Sequence, residues 1–196
     1  NILPNKEIDF LLDSIAIYQE LFKYKNLEEV SNKQLLTEQG ELYDFIPLNE
    51  EQRISLTDKL PFLGNKQRNY NAYFFSLQEK NSNVCPIIVY VNYLNYDALV
   101  LLNLSKAGEI VDFLELTNSD CRLEDQDDEK EVIWCLEKNA KIIDNQSIIV
   151  NKTVSLTNDY GDHTTSIIDS VSYIYEINRE GDILKVSEDS IRYSKV

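Results

Sequence analysis

The stretches that decide the fold are "CPIIVYVNYL" at residues 85–94 and "ALVLLNL" at residues 98–104. Both are rich in β-branched and aromatic residues and only a short polar break separates them, which predicts two neighbouring strands. The runs at 87–91 and 99–102 lack alternating polar residues. They therefore predict central strands that are covered on both faces.

More strands are predicted around this pair, and glycine turns connect some of them. Gly108 and Gly181 each lie between two strand-like runs, in "LNLSKAGEIV" (102–111) and "INREGDILKV" (177–186), and we expect both to take a positive φ. Such turns indicate antiparallel hairpins that follow one another along the chain. The other predicted strands are "YNAYFFSLQ" (70–78), "EIVDFLEL" (109–116), "EVIWCLE" (131–137), "KIIDNQSIIV" (141–150), "VSYIYEI" (171–177) and "DILKV" (182–186).

The N-terminal part of the sequence favours helices. Residues 7–24 place apolar side chains at helical spacing, and a second helix is expected to begin after Asn49 as its N-cap and to end before Pro61. The predicted fold class is α+β, with N-terminal helical segments packed on a mostly antiparallel, multi-stranded β-meander. We expect a single domain over residues 1–196, with a helix-biased part at 1–64 and a β-sheet part at 70–196.

The net charge of the chain limits the classes of molecule that we expect it to bind. Thirty-four acidic residues stand against 19 basic ones, for a net charge of −15. Such a field repels nucleic acid and anionic membranes and favours a protein with a basic surface. No apolar run reaches the roughly 20 residues that a membrane-spanning helix needs. Because the sequence lacks methionine, we expect it to be either a trimmed chain or a mature form whose leader has been removed, and any lipid anchor would lie upstream of Asn1.

The stretch "CRLEDQDDEKEVIWC" at residues 121–135 combines two cysteines with a run of acids. We interpret it as a solvated connecting loop, with Trp134 as a core anchor at the start of the next strand. Cys121 and Cys135 either form a disulfide, worth roughly 3 kcal/mol, or remain thiols, and Cys85 is expected to be buried. The acids of this loop are the preferred docking residues for a basic partner. They are Glu124, Asp125, Asp127, Asp128, Glu129 and Glu131.

The inventory of reactive residues argues against catalysis. His163 is the only histidine and lies in a polar, turn-like stretch, "NDYGDHTTS" (158–166). Phosphate-binding glycine loops, zinc-type cysteine spacing and the central glycine of an EF-hand are all missing. We therefore expect no catalytic residues, no cofactor and no dedicated metal site. Weak cation binding at Asp159, Asp162 and His163 stays open.

Two motifs give the sequence a resemblance to known proteins. Ser105–Leu116 is similar to the pattern D-x-x-G-x-x-[IV]-[DS]-x-[LF]-x-L, although Ser105 replaces its first acid, and Tyr175–Gly181 is similar to Y-x-[IV]-x-x-[DE]-G. With "LPFLG" (60–64) and the strands between, the chain resembles uncharacterised secreted or lipid-anchored proteins of Gram-negative gut bacteria of the Bacteroidetes type. The resemblance implies a location in the bacterial cell envelope, at the periplasm or cell surface, and a non-enzymatic role. Some such envelope proteins act as immunity proteins against secreted toxins.

The net charge, the lack of catalytic residue patterns and the resemblance to envelope proteins lead to two expectations about function. The first is a non-catalytic, acidic protein-binding module, an immunity-type inhibitor of a basic toxin or other basic protein. The alternative is an envelope lipoprotein with a structural or glycan-binding role, since 12 tyrosines and 7 phenylalanines could line a sugar-binding groove.

Overall fold

The structure is a computed structural model that describes residues 22–37, 41–60, 70–79, 83–93, 96–126, 131–144, 146–161 and 164–195. Ten strands, one α-helix and one 3₁₀ helix lie within these ranges. The helices are α1 (Glu50–Lys59) and the 3₁₀ helix Asn32–Leu35. The strands are β1 (Tyr24–Lys25), β2 (Glu29–Val30), β3 (Asn71–Leu77), β4 (Val84–Tyr93), β5 (Tyr96–Ser105), β6 (Ile110–Gln126), β7 (Glu131–Ile142), β8 (Ser147–Asp159), β9 (Thr164–Ile177) and β10 (Ile183–Lys195).

All ten strands belong to one sheet. From β3 to β10, every strand pairs in antiparallel fashion with the next strand along the chain. The short strand β1 pairs in parallel with β3, and β2 pairs with the end of β7. The predicted antiparallel meander is therefore confirmed.

The predicted α+β class is wrong, because the described chain is mostly strand and α1 is its only α-helix. The N-terminal helix expected at residues 7–24 lies outside the described residues apart from its last three, and Tyr24 begins β1. The second expected helix is α1: the Asn49 side chain accepts a hydrogen bond from the Gln52 N–H at 2.9 Å, and the helix ends at Lys59. The strands are longer than predicted because polar segments, such as 151–159, continue the pairing.

The middle of the sheet is buried on both faces. One hydrophobic cluster joins α1 to the odd-numbered residues of β4 from Cys85 to Val91 and the even-numbered residues of β5 from Ala98 to Leu104. The sheet bends so that the ends of β7 to β9 cover the opposite face, where a second cluster forms. This second cluster includes Phe75, Ile88, Tyr90, Leu99, Leu101, Leu116, Ala140, Ile148, Val150 and Ile177. The prediction that 87–91 and 99–102 form central strands is confirmed.

The turn between β9 and β10 is attached to the packed strands and closes this arrangement. The Asn103 side-chain N–H donates to the Gly181 carbonyl at 2.7 Å, and the Ile183 N–H donates to an Asp112 carboxylate oxygen at 2.7 Å. Gly181 has a φ of +98°, and a Cβ at this position would lie 2.5 Å from a methyl carbon of Val84. The positive φ expected at Gly108 and Gly181 is confirmed. We call this part, from β3 to the first half of β6 with the covering ends of β7 to β9, the packed half.

Beyond the packed half, five strands continue as a layer that we call the open sheet. It consists of residues 119–126 of β6, 131–139 of β7, 151–159 of β8, 164–172 of β9 and 187–195 of β10. None of its described side chains is buried, and neither hydrophobic cluster includes any of them. The strand β6 runs unbroken from one region into the other. The fold therefore projects an uncovered antiparallel sheet from a buried core.

Candidate functional site

Acidic residues gather at the outer end of the open sheet. The backbone register pairs Gln126 with Glu131, and Glu131 with Asp159 on its other side, so the end of β6, the start of β7 and the end of β8 lie side by side. Glu124 is two residues from the end of β6. We call Glu124, Glu131 and Asp159 the acidic end. It forms because two hairpins of the meander finish at the same level.

Two carboxylates of the acidic end face each other across neighbouring strands. Glu131 and Asp159 are direct partners in the β7–β8 register, so their side chains point to the same face of the sheet. Like charges in directly opposite positions destabilise a sheet, by an amount comparable to the roughly 0.2–1 kcal/mol that a favourable pair contributes. The Asp159 carboxylate also accepts a hydrogen bond from the Gly161 N–H at 2.9 Å, which fixes it against the β8–β9 turn. The arrangement concentrates negative charge on one fixed surface.

The structure separates the predicted docking residues into three groups. Glu124 and Glu131 are exposed, and the Arg122 guanidinium contacts the Glu124 carboxylate at 2.6 Å. Asp125 lies in β6, whereas Asp127, Asp128 and Glu129 lie outside the described residues, between the end of β6 and the start of β7. The prediction of a solvated connecting loop is wrong for residues 121–126, because β6 continues to Gln126 and pairs with β7. Cross-strand hydrogen bonds hold this polar segment extended.

Sequence reasoning treated Asp159 as part of a separate stretch with Asp162 and His163. The register places Asp159 opposite Glu131 of β7, whereas Asp162 and His163 lie outside the described residues. The alternation of Val154 and Leu156 with Thr153, Ser155 and Thr157 is the signal that could have extended β8 to this point.

A disulfide joins Cys121 of β6 to Cys135 of β7. The two residues are direct partners in the strand register, and their Cα atoms are 4.1 Å apart. A covalent link at this position fastens β6, the outer strand of the open sheet on this side, to β7. Cys85 is a buried thiol in β4, as its apolar surroundings predict.

Trp134 is placed differently from the expected core anchor. It lies half-buried in the open sheet and belongs to neither hydrophobic cluster. The Arg122 guanidinium lies over its ring, 4.5 Å from the centroid, and Arg122 is its direct partner across β6 and β7. The arginine therefore links the indole ring to Glu124 on one face of the sheet, near the acidic end.

A partly buried polar network lies within the packed half. The Tyr90 hydroxyl donates a hydrogen bond to an Asp97 carboxylate oxygen at 2.6 Å, and the Asn92 side chain donates to the same oxygen at 2.7 Å. Burial, followed by the hydrogen bond and negative charge of Asp97, raises the pKa of the Tyr90 hydroxyl far above its ordinary value. A tyrosine that holds its proton so firmly acts as a fixed donor, so this network positions the β4–β5 hairpin.

A pocket of about 180 Å³ opens at the end of the molecule where β7 finishes, opposite the acidic end. Leu101, Ile148 and Ile177 contribute apolar surface to it, and the exposed acids Glu28, Glu79 and Asp144 also line it. The Asp144 carboxylate already accepts the N–H groups of Gln146 and Ser147. The pocket is smaller than the roughly 300 Å³ at which small-molecule sites usually begin.

The described part of the chain contains no group of three or more histidine, cysteine, aspartate or glutamate side chains arranged to hold a metal ion. Within the same residues, none of the helices has both the length and the apolar character required to cross a membrane.

Comparisons with known proteins give no relative on which to base a function. The chain matches no model of a protein family, no curated protein sequence and no solved structure at a significant level.

Proposed function

We propose that this protein is a non-catalytic binding module that captures a basic partner protein, as an immunity-type inhibitor of a basic toxin would. The observation that carries the proposal is the acidic end, where Glu131 and Asp159 are held opposite each other beside the end of β6, which carries Glu124. From Asp120 to Glu131 the sequence holds seven acids against Arg122 and Lys130, a net charge of −5. Such a surface steers lysine- and arginine-rich proteins toward it and speeds their association.

The energetics of the acidic end support a binding role. Glu131 and Asp159 occupy directly opposed positions, so one cationic side chain of a partner could interact favourably with both carboxylates. The Cys121–Cys135 disulfide strengthens the hairpin that carries this surface and supports an oxidising compartment, such as the bacterial cell envelope.

The glycan-binding alternative has weaker support. Sugar-binding platforms use exposed aromatic faces, but the Arg122 guanidinium lies over the ring of Trp134. The exposed tyrosines Tyr160 and Tyr193 lie apart, the first in the turn after β8 and the second in the edge strand β10. We therefore assign the partner to the class of basic proteins.

The test compares two variants of equal net charge. The first, E124Q/E131Q/D159N, removes three charges at the acidic end; the matched control, E28Q/E79Q/D144N, removes three at the pocket on the opposite end. The wild-type chain is immobilised, a basic protein is selected from a panel of purified lysine- and arginine-rich proteins, and dissociation constants are measured at physiological ionic strength. We expect the first variant to weaken binding about tenfold or more relative to the control, as for the loss of several charge pairs.

Two results would count against the proposal. Equal weakening by both variants would mean that only the net charge matters, and the absence of any bound basic protein would remove the partner class.

A further inference from the structure

The last strand, β10, forms an exposed edge of the sheet. In the described part of the chain, β10 pairs with β9 on one side and no strand pairs with its other side. All of its residues except Ile183 are exposed. An edge strand presents a row of N–H and C=O groups that are available to another strand. The edge can therefore accept an additional strand over much of its length.

The charge of this edge differs from that of the whole protein. Between Ile183 and Lys195, three basic residues (Lys185, Arg192 and Lys195) stand against two acidic ones (Glu188 and Asp189), a net charge of +1 in a chain of net charge −15. Two copies of this acidic chain therefore approach with less local repulsion at β10 than elsewhere. A strongly basic partner, by contrast, would favour the acidic end.

We propose that β10 pairs with β10 of a second copy of this chain, in antiparallel orientation about a two-fold axis at Ser190, so that the two open sheets join into one continuous sheet. A two-fold axis perpendicular to the sheet keeps each face on its own side. Residues at equal distances before and after Ser190 then become partners. Glu188 of each copy faces Arg192 of the other, Asp189 faces Ile191, and Ser187 faces Tyr193.

Charge alternation on one face selects this register. The Arg192 guanidinium contacts the Asp169 carboxylate at 2.7 Å, and the Lys185 ammonium group contacts the Glu188 carboxylate at 2.8 Å. The hydrogen bond to Glu188 also raises the pKa of Lys185. Across the joined edge, side chains of alternating charge then lie in one row. They are Asp169 and Arg192 of one copy and Glu188 and Lys185 of the other.

Neighbouring registers lose this complementarity. An axis at Asp189 or at Arg192 would set two like charges opposite each other, which disfavours strand pairing. An axis at Ile191 would place Glu188 opposite Ser194 and Arg192 opposite Ser190, so both charge pairs would vanish. Only the axis at Ser190 forms the Glu188–Arg192 pair twice.

The opposite face contributes apolar contact. Ile191 and Tyr193 are 63% and 49% exposed, and they lie on the face that carries Ile168 and Ser170 of β9. With the axis at Ser190, the two Ile191 side chains meet diagonally across the axis, at a distance that long side chains bridge. The register shift between Lys185 and Ser187 interrupts the regular alternation, so we expect the pairing to extend over Ser187–Tyr193. Lys185 and Lys195, which the axis at Ser190 would otherwise set opposite each other, then lie outside the paired segment.

Charge-reversal variants and sedimentation equilibrium test both the dimer and its register. We expect the wild type to dimerise, and E188R or R192E alone to raise the dimer dissociation constant about tenfold or more, because each change turns two attractive pairs into repulsive ones. The double variant E188R/R192E should recover dimerisation. An equimolar mixture of the two single variants should form a heterodimer, because every facing pair again joins opposite charges.

Matched controls separate the interface from the contacts within one chain. D169N removes the partner of Arg192 inside its own chain and K185Q removes that of Glu188, and both should change the dissociation constant by less than about threefold, since exposed ion pairs contribute little. Circular dichroism verifies that every variant keeps its strand content. A wild-type chain that stays monomeric at hundreds of micromolar overturns the proposal, as do single variants that dimerise like the wild type or a mixture that associates no better than its components.

Discussion

The packed half and the open sheet use the same strands in different ways. β6, β7, β8 and β9 run through both regions and pair in antiparallel fashion, with one register shift between β6 and β7 at Glu124. In the packed half, two hydrophobic clusters cover the two faces of the central strands, whereas no described side chain of the open sheet is buried. The comparison teaches that burial is needed to anchor a sheet, but that an anchored sheet can continue on pairing alone.

Cross-strand contacts replace burial in the open sheet. One of its faces carries a row of hydroxyl groups, in which Thr157 and Ser166 form a hydrogen bond of 2.9 Å and Ser172 donates to Asn151 at 2.7 Å. The other face carries the Arg122–Trp134 stack. Pairs of this kind contribute roughly 0.2–1 kcal/mol each, less than a buried leucine. The open sheet should therefore depend on many small contributions.

The largest difference between the two regions should appear on truncation of a leucine. Leu99 is fully buried, whereas Leu156 is only half-buried in the open sheet. We expect Leu99→Ala to lower the free energy of unfolding by about 4 kcal/mol, because it leaves a cavity, and Leu156→Ala by about 1 kcal/mol. Chemical denaturation measures both. Equal losses would mean that the open sheet is covered in solution, as a sheet-on-sheet assembly would cover it.

The disulfide should matter mainly to the open sheet. Replacing Cys121 and Cys135 with alanine opens a link between residues 14 apart, which we expect to cost about 3 kcal/mol if the whole chain unfolds together. Hydrogen exchange locates the effect. In the variant, the amides of 119–126 and 131–139 should exchange faster than in the wild type, whereas the exchange rates of the amides of β4 and β5 should stay the same. A reducing agent should reproduce this change in the wild type and leave the variant unaffected. Uniformly faster exchange in both regions would contradict the assignment.

Two glycines in turns give the smallest and most closely matched comparison. Gly181 and Gly161 both have a positive φ, of +98° and +83°. A Cβ at Gly181 would meet Val84, whereas a Cβ at Gly161 would have no atom of the described residues within 4 Å beyond its chain neighbours. Gly161→Ala should cost about 1 kcal/mol for its backbone conformation alone. Gly181→Ala should cost about 2–3 kcal/mol, since Val84 must also move. Thermal unfolding of both variants tests whether the β9–β10 turn packs against the packed half. Equal decreases in the unfolding midpoint would contradict this packing.

The packed half was the more predictable region, for a physical reason. Burial on two faces leaves continuous apolar runs, and 87–91 and 99–102 carry this signal directly. The glycine turns at Gly108 and Gly181, and the N-cap at Asn49, follow from local backbone chemistry that requires those residue types. Signals of this kind are local in the sequence, so they can be recognised without knowing which strands pair.

The open sheet was underestimated because its strands have no buried face. Segments such as "NKTVSLTND" at 151–159 and "SEDSIRYSK" at 187–195 are polar enough to be interpreted as loops. Their strand structure depends on a neighbour that is already in place, which is a property of the sheet and not of the segment. For the same reason, the meeting of Glu131 with Asp159 could not be foreseen, since it depends on the register of two strands.

The unbroken course of β6 has a mechanical consequence. At about 3.4 Å per residue, its 17 residues span at most roughly 55 Å, from the packed half to the acidic end. Antiparallel hydrogen bonds lie perpendicular to the strands, so a pull on the acidic end along β6 loads many of them in shear at once. A partner bound there would be connected to the hydrophobic clusters by one strand, whose bends are set by the register shifts at Val111, Leu116 and Glu124.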